Sequence, residues 1–181
     1  MGGSEAHISV FGRYKGLGLG LWDKGERFRG FTDADSATQE HRHAITGYAF
    51  LIDGGAISWS SKKQEIVMLF TAKSEYVAAT HTAKEAIWLH QFIGEVFQPL
   101  TNPIPLYSDS QAAIALTCDR SYHTCTKHID IRYHFIQFVV NNGTINLIYC
   151  PTDDMVTDTL TKVLPNIKAK HFSFTLSLQS T

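Results

Sequence analysis

The feature of this sequence that most constrains its fold is a long helical stripe of small side chains. Between residues 71 and 97, one residue in every three or four falls on the same helical face, and the commonest is alanine. Because alanine is short, this face can lie close against a flat surface such as a β-sheet. One acid shares the face, and a buried carboxylate is unfavourable unless it is paired or binds a metal. The face consists of Glu75, Ala79, Ala83, Ala86, His90, Ile93 and Phe97.

Strand patterns on both sides of this helix supply the sheet. Before it, residues 28–31 are a short extended segment ending at Thr32-Asp33, and "ITGYAFLID" and "AISWSS" flank a Gly-containing turn, as in a β-hairpin. After it, residues 104–107 and "TINLIYC" are two more strands, each preceded by helical residues. Tight turns predict antiparallel pairing, whereas helical crossovers predict parallel pairing. The expected fold class is α/β: a five-stranded mixed sheet, three strands antiparallel and two parallel, flanked by helices.

Three further helices complete the predicted order β-β-β-α-β-α-α-β-α. One follows Ser110, and a second begins at Thr126 as N-cap and ends at Asn142-Gly143, a good C-terminal signal. The last spans residues 153–164. Trp59 and Trp88 are expected in the core.

Charge and cysteine content limit the class of protein. The 181 residues suffice for one domain, and 16 Lys and Arg against 17 Asp and Glu leave a formal net charge of −1. Any contact with nucleic acid must therefore come from a local basic patch. Three cysteines do not suggest a disulfide framework, and we find neither a signal peptide nor a membrane-spanning run. The expected location is intracellular, in the cytoplasm or the nucleus, without membrane attachment.

Four acids occupy comparable places in this scheme. Asp33 ends the first strand, and Glu75 faces inward at the start of the long helix. Asp109 ends the fourth strand, and Asp158 lies in the last helix, after the fifth strand. Clustered carboxylates repel one another, and Mg²⁺ is a hard cation that prefers such oxygen ligands. Two such ions could clamp the oxygens of a phosphodiester displacement. Asp109 taken alone is better explained as a helix N-cap; the set of four acids is what favours the metal site.

Six runs of the sequence, in order, resemble the ribonuclease H domain at the end of the Pol polyprotein of copia-type retrotransposons. They are "GFTDAD", "TGYAFLIDGGAISWSSKKQ", "TAKSEYVAATHTAKEAIWL", "LYSDSQAAIAL", "TKHIDIRYHFI" and "YCPTDDMVTDTLTKVLP". The resemblance covers residues 28–165. Residues 1–27, with "RYKGLGLGLW", resemble a remnant of the upstream polymerase and connection region, and residues 166–181 form a C-terminal tail.

The resemblance implies a ribonuclease H-like fold and metal-dependent hydrolysis of the RNA strand of RNA–DNA hybrids. The implied cofactor is Mg²⁺, with two ions expected and Mn²⁺ able to substitute, and the implied partners are the hybrid and the polymerase domain of the parent polyprotein. Asp35 is the main alternative to Asp33, because "DAD" permits a shift of two residues. The catalytic and metal-binding residues implied are Asp33 in "FTDAD", Glu75 in "SEY", Asp109 in "SDSQ" and Asp158 in "TDTLTK".

Candidate nucleic-acid contacts are fewer. Lys62 and Lys63 follow a strand, Ser110 follows an acid of the site, and Lys127 begins a helix. Solvated lysines without a ligand are the alternative. Lys73 stands where the family usually has an acid, and residues 151–156 contain no histidine, although cellular type I enzymes carry one before the last acid. A catalytically inactive copy that keeps the fold and binds nucleic acid weakly is therefore the second hypothesis.

Overall fold

The structure is a computed structural model that describes residues 28–35, 43–52, 55–64, 71–96, 101–118 and 127–162, with the side chains of 127–133 excepted. The proposed segments 1–27 and 166–181 lie outside the described residues. The strands are β1 (Phe28–Asp35), β2 (Ile45–Ile52), β3 (Gly55–Lys63), β4 (Ile104–Ser108) and β5 (Ile145–Tyr149). The helices are α1 (Thr71–Val96), α2 (Gln111–Cys118), α3 (Lys127–Asn141) and α4 (Asp158–Thr161), with a 3₁₀ turn at Thr152–Asp154.

The five strands form one mixed sheet in the order β3-β2-β1-β4-β5. β1 pairs antiparallel with β2, and β2 antiparallel with β3, as the tight turns predict. β1 pairs parallel with β4, and β4 parallel with β5, as expected of strands joined by helical crossovers. The predicted fold class is confirmed.

α1 covers one face of the sheet with the alanine stripe predicted from the sequence. Ala83 and Ala86 are fully buried, as are Leu89 and Ile93 farther along the helix. Burial of a side chain of the size of Leu89 or Ile93 contributes about 1.5–3 kcal/mol. The sheet side of this core contains the stacked rings of Phe28 and Phe50, whose centroids are 5.6 Å apart.

The opposite face is covered by the segment that follows β5, and here the sequence prediction is wrong. Instead of one helix over 153–164, a 3₁₀ turn is followed by extended backbone at Met155 and by the four-residue α4. Met155 and Val156 are consecutive and both buried, against Leu51 among others. A regular helix would direct two adjacent side chains about 100° apart, so packing on this face favours an irregular path.

Two smaller differences concern the exposure of the tryptophans and the end of β1. Trp59 and Trp88 do not lie in the core; they are 36% and 49% exposed. β1 continues through Asp35, so Asp33 lies within the strand instead of at its end. Gly143 ends α3 with φ of 69°, the left-handed conformation expected of a C-terminal glycine.

Across the residues that the structure describes, none of the helices is long and apolar enough to span a membrane.

Candidate metal centre and active site

Three of the four predicted acids meet at one edge of the sheet. Ligand oxygens of Asp33, Glu75 and Asp109 all lie within 4.8 Å of one another. β1 and β4 are parallel neighbours, so Asp33 near the carboxyl end of β1 and Asp109 just after β4 reach the same edge. Asp35 is not part of this group. The geometry therefore favours Asp33 over Asp35 as the acid of β1 that faces the centre.

Glu75 reaches the group from the beginning of α1. Its Oε2 accepts a hydrogen bond of 3.0 Å from the backbone N–H of Ala34. The start of α1 is itself fastened to the hairpin by Gln64, whose Nε2 donates to Thr46 Oγ1 at 2.9 Å and to the Ser74 carbonyl at 3.0 Å. The buried amide of Gln64 thus fixes the helix turn that carries Glu75.

The N-cap of α2 is Ser110 and not Asp109, although Asp109 directly precedes it in the sequence. The Ser110 Oγ accepts from the Ala113 N–H at 3.2 Å, and Ser110 N–H donates to Ser108 Oγ at 3.2 Å. Asp109 accepts instead from the Thr152 hydroxyl at 3.0 Å. The cap is therefore supplied by Ser110, and Asp109 is available to the acid group.

Burial and mutual repulsion change the protonation of these acids. Burial, with the charges of Asp33 and Asp109, raises the pKa of Glu75 to about 9, although Lys162 and the Ala34 N–H act against the shift. Burial also raises the pKa of Asp33, with hydrogen bonding from Thr161 and the charge of Lys162 opposing it. Glu75 therefore holds a proton at neutral pH unless a cation enters the group.

Asp158, the fourth predicted acid, lies beside Asp33 but outside the three-acid group. It is the first residue of α4 and is 3% exposed. Lys162, one turn later, donates from Nζ to Asp158 Oδ1 at 2.6 Å and lies 3.4 Å from Asp33 Oδ2. Burial acts to lower the pKa of Lys162, but the hydrogen bond to Asp158 and the charges of Asp33, Asp158 and Asp109 raise it overall, so the lysine is a cation. A metal-binding role for Asp158 stays a prediction.

Short contacts fasten α4 close to the sheet. Thr161 Oγ1 donates to Asp33 Oδ2, and Ser61 Oγ on β3 donates to the Leu160 carbonyl at 2.5 Å. Gly47, the β2 partner of Asp33, makes room for the helix, because a Cβ there would lie 2.6 Å from Thr161 Cγ2 and 3.1 Å from Leu160 Cβ. The glycine thus allows residues of α4 to reach Asp33.

The donor set suits a hard divalent cation. Carboxylate oxygens are the ligands that Mg²⁺ prefers, at about 2.0–2.1 Å, so opposite ligands of one ion lie about 4.2 Å apart. The observed spread of up to 4.8 Å is close to this value. The group can hold one such ion after a small contraction, and the ion's charge would oppose the burial and the repulsion that together raise the pKa of Glu75.

The predicted nucleic-acid contacts are only partly described. Lys62 and Lys63 are exposed at the end of β3 and line a cleft that also includes Tyr48 and His81. The side chain of Lys127 lies outside the described residues. Ser110 has its oxygen engaged at the α2 cap.

The sequence analysis missed the residues that hold the acids: Thr152, Thr161 and Lys162. One signal was present, since Lys162 follows Asp158 by four residues, the spacing of an ion pair on a helix. Thr161 gave no such signal, because it contacts an acid 128 residues earlier in the chain.

Comparison with known proteins places this geometry in a family. The chain is 45% identical over 141 residues to the "Retrovirus-related Pol polyprotein from transposon TNT 1-94" of Nicotiana tabacum, a match that covers 77% of this chain and 10% of the relative. It is 33% identical over 144 residues to the polyprotein from transposon RE2 of Arabidopsis thaliana, covering 79% of this chain and 10% of the relative. No protein-family model matches the chain.

A solved structure with the same fold is LC11-RNase H1 in complex with an RNA/DNA hybrid. The TM-score is 0.53 at 14% identity, over 75% of this chain and 94% of that one. The chain is a ribonuclease H-like domain related to the Pol polyproteins of transposons. This domain spans about a tenth of the length of the curated relatives it matches. The predicted fold and the predicted relation to transposon Pol polyproteins are confirmed.

Proposed function

We propose that this ribonuclease H-like domain is a divalent-metal-dependent endonuclease that hydrolyses the RNA strand of RNA–DNA hybrids. The observation that carries the proposal is the convergence of Asp33, Glu75 and Asp109 within 4.8 Å at the edge of the sheet. The fold supports it, because LC11-RNase H1, of the same fold, was solved with an RNA/DNA hybrid. The ion is proposed to be Mg²⁺, with Mn²⁺ as a substitute and two ions in the working state.

In this proposal the three acids hold the first ion, and Asp33 and Asp158 together provide oxygens for a second. When bound, divalent ions would supply positive charge at the scissile phosphate and make a water molecule more acidic. The protein fixes the acids in place before substrate arrives: Ala34 N–H holds Glu75, Thr152 holds Asp109, and Thr161 holds Asp33. Such preorganisation avoids rearrangement during the reaction.

The exposed Lys62 and Lys63 are proposed to contact phosphates of the bound hybrid, with Ser110 and Lys127 as further contacts. The chain's formal net charge of −1 makes these contacts few and local. In this proposal they position the duplex, while discrimination of a hybrid from duplex DNA rests on the RNA 2′-hydroxyl and the duplex shape.

The test is cleavage of a labelled hybrid by the purified chain. RNA in the hybrid should be cut with Mg²⁺ or Mn²⁺ and spared with EDTA, and RNA duplex and DNA duplex should be spared throughout. Asp33→Asn, Glu75→Gln and Asp109→Asn should each lower the rate by at least about 100-fold, whereas Asp154→Asn, an exposed acid outside the group, should not. Asp35→Asn separates the two acids of β1: loss of cleavage there with full activity in Asp33→Asn would reverse their assignment.

The second hypothesis, a catalytically inactive copy, has its own signature in the same assay. The chain would fold and bind hybrid weakly, yet would leave RNA uncut with every divalent ion.

We further propose that the domain belongs to a copia-type Pol polyprotein in the cytoplasm or nucleus and acts beside a reverse transcriptase polymerase domain. A fusion to that polymerase should lower the KM for hybrid at unchanged kcat; an unchanged KM would count against cooperation.

A further inference from the structure

A cation supplied by the protein itself already lies between two of the acids. The Lys162 Nζ donates to Asp158 Oδ1 at 2.6 Å, a short charge-assisted contact. The same nitrogen lies 3.4 Å and 3.5 Å from the two carboxylate oxygens of Asp33. One ammonium group therefore balances both carboxylates at once.

The two acids are far more buried than the lysine that joins them. The side chains of Asp33 and Asp158 are 1% and 4% exposed, whereas that of Lys162 is 30% exposed. Lysine carries a compact charge on a flexible four-carbon stem, so its ammonium group can move away while the carboxylates stay. The acids themselves are held from elsewhere, Asp33 by the Thr161 hydroxyl and Asp158 by its place in α4.

The oxygens that Lys162 contacts are those that a second divalent ion would need. Asp33 belongs to the three-acid group, and the Lys162 ammonium lies between Asp33 and Asp158. A second ion held by these two acids would compete with Lys162 for Asp158 Oδ1 and for Asp33. Two cations cannot share that space, because like charges a few ångströms apart repel strongly in a partly buried site.

We propose that Lys162 is a built-in counter-cation that occupies the place of the second divalent ion, which binds only by displacing the Lys162 ammonium. The inference rests on the proposed function and deepens it. The first ion binds to Asp33, Glu75 and Asp109 without displacing the lysine. Lys162 is thus a positioning residue: it keeps Asp33 and Asp158 together in the metal-free protein and makes binding of the second ion weaker than binding of the first.

The experiment measures Mn²⁺ binding to the intact chain without nucleic acid, by the spin resonance signal of free Mn²⁺ and by calorimetry. Lys162→Met removes the charge and keeps a similar unbranched stem; Lys162→Gln is a second uncharged variant in case Met alters folding. Lys162→Arg keeps a positive charge, and Lys84→Met removes an exposed lysine of α1 that contacts Phe135 instead of the acids.

Wild type, Lys162→Arg and Lys84→Met should bind one Mn²⁺ and, at higher concentration, a second. In Lys162→Met and Lys162→Gln the second dissociation constant should fall by about tenfold or more, the scale of one charge-assisted hydrogen bond, while the first stays nearly unchanged. Without metal, the uncharged variants should melt at lower temperature than wild type, and Mn²⁺ should raise their melting temperature by more than it raises that of wild type.

Two results would overturn the proposal. Equal second-site affinity in wild type and in both uncharged variants would mean that lysine and ion do not compete. Weaker second-site binding in the uncharged variants would mean that Lys162 supports the ion instead of replacing it. Failure of the proposed function looks different. The hybrid would stay uncut with every divalent ion, and if the metal centre itself were wrong, Mn²⁺ would fail to bind at the first site and Asp109→Asn would leave the binding curve unchanged.

Discussion

At the scale of the residue, protonation of one carboxyl group links the site to stability. Burial and the charges of Asp33 and Asp109 raise the pKa of Glu75 to about 9, from 4.5 for an ordinary glutamate. Glu75 is therefore neutral in the folded protein at pH 7 and ionised in the unfolded chain. A divalent ion would supply the positive charge that lets Glu75 ionise in the folded protein.

The metal-free protein should lose stability as pH rises from about 5 to 9. Well below pH 4.5 Glu75 is protonated in both the folded and the unfolded state, so it does not change the free energy of unfolding with pH. Above it the unfolded chain releases a proton that the folded state keeps, so the free energy of unfolding falls by at most about 1.4 kcal/mol per pH unit until the folded pKa is passed. Urea unfolding in EDTA should show this fall for wild type and a smaller one for Glu75→Gln. Parallel curves for the two proteins would refute the assignment to Glu75.

Removal of one charge from the acid group should stabilise the metal-free protein. In addition to burial, the charge of Asp109 helps to raise the pKa values of Asp33 and Glu75. Asn at this position can still accept a hydrogen bond from Thr152. Asp109→Asn should therefore raise the melting temperature in EDTA by a few degrees, for a relief of about 1 kcal/mol after screening. Millimolar Mg²⁺ should narrow or reverse the difference, because only wild type keeps all three ligands. A variant that is never more stable than wild type would contradict the clustered-acid geometry.

A variant of Ser110 is the matched control for Asp109→Asn, because Ser110 caps α2 and Asp109 does not. Ser110→Ala should lower the free energy of unfolding by about 1 kcal/mol, the usual cost of a lost N-cap, both with and without Mg²⁺. Its affinity for Mn²⁺ should stay at the wild-type value. Calorimetric titration and thermal melting of the two variants together separate capping from metal binding.

At the scale of the element, the position of α4 determines the site more than its length does. The helix has four residues, yet it brings Asp158, Thr161 and Lys162 to Asp33. It can approach because β2 carries Gly47 opposite Asp33. The hydrogen bond from Ser61 to Leu160 holds it from the neighbouring strand.

Gly47→Ala should therefore displace α4. The added Cβ would lie 2.6 Å from the β-branched Thr161 side chain and 3.1 Å from Leu160 Cβ, and neither atom is the end of a flexible chain. We expect a loss of about 1–3 kcal/mol of stability, with weaker Mn²⁺ binding. Gly143→Ala is the control: its φ of 69° makes alanine costly, but it ends α3 with open space around it, so Mn²⁺ affinity should not change. Equal Mn²⁺ affinity in both variants would count against this role of Gly47.

At the scale of the whole molecule, charge limits how firmly the domain can hold a hybrid. The chain has a formal net charge of −1, and Lys62 and Lys63 are exposed on the edge strand. Binding should be weak, with a slope of log affinity against log salt of about −2 to −4. Lys62→Gln combined with Lys63→Gln should reduce that slope by about 1 to 2, whereas Lys84→Gln should not. Fluorescence anisotropy with EDTA measures both; nanomolar binding at physiological salt would reveal a basic groove that these residues do not account for.

The sequence by itself determined the sheet, the covering helix and three of the acids. The period of the apolar residues, two in strands and about 3.6 in helices, indicates which side chains face the core. The alanine stripe of α1 and the hairpin of β2 and β3 could therefore be predicted from residues close together in the sequence. Parallel pairing of β1 and β4 then placed Asp33 and Asp109 at one edge.

Only the tertiary structure decided what surrounds those acids. The path of residues 152–161 follows from the burial of Met155 and Val156 on the sheet, which overrides the helical pattern predicted there. The pKa of Glu75 depends on its burial and on the charges of Asp33 in β1 and Asp109 just after β4. Lys162 contacts Asp33, which lies 129 residues earlier in the chain. Residue spacing within one element cannot predict this contact, because it forms only when α4 packs on the sheet.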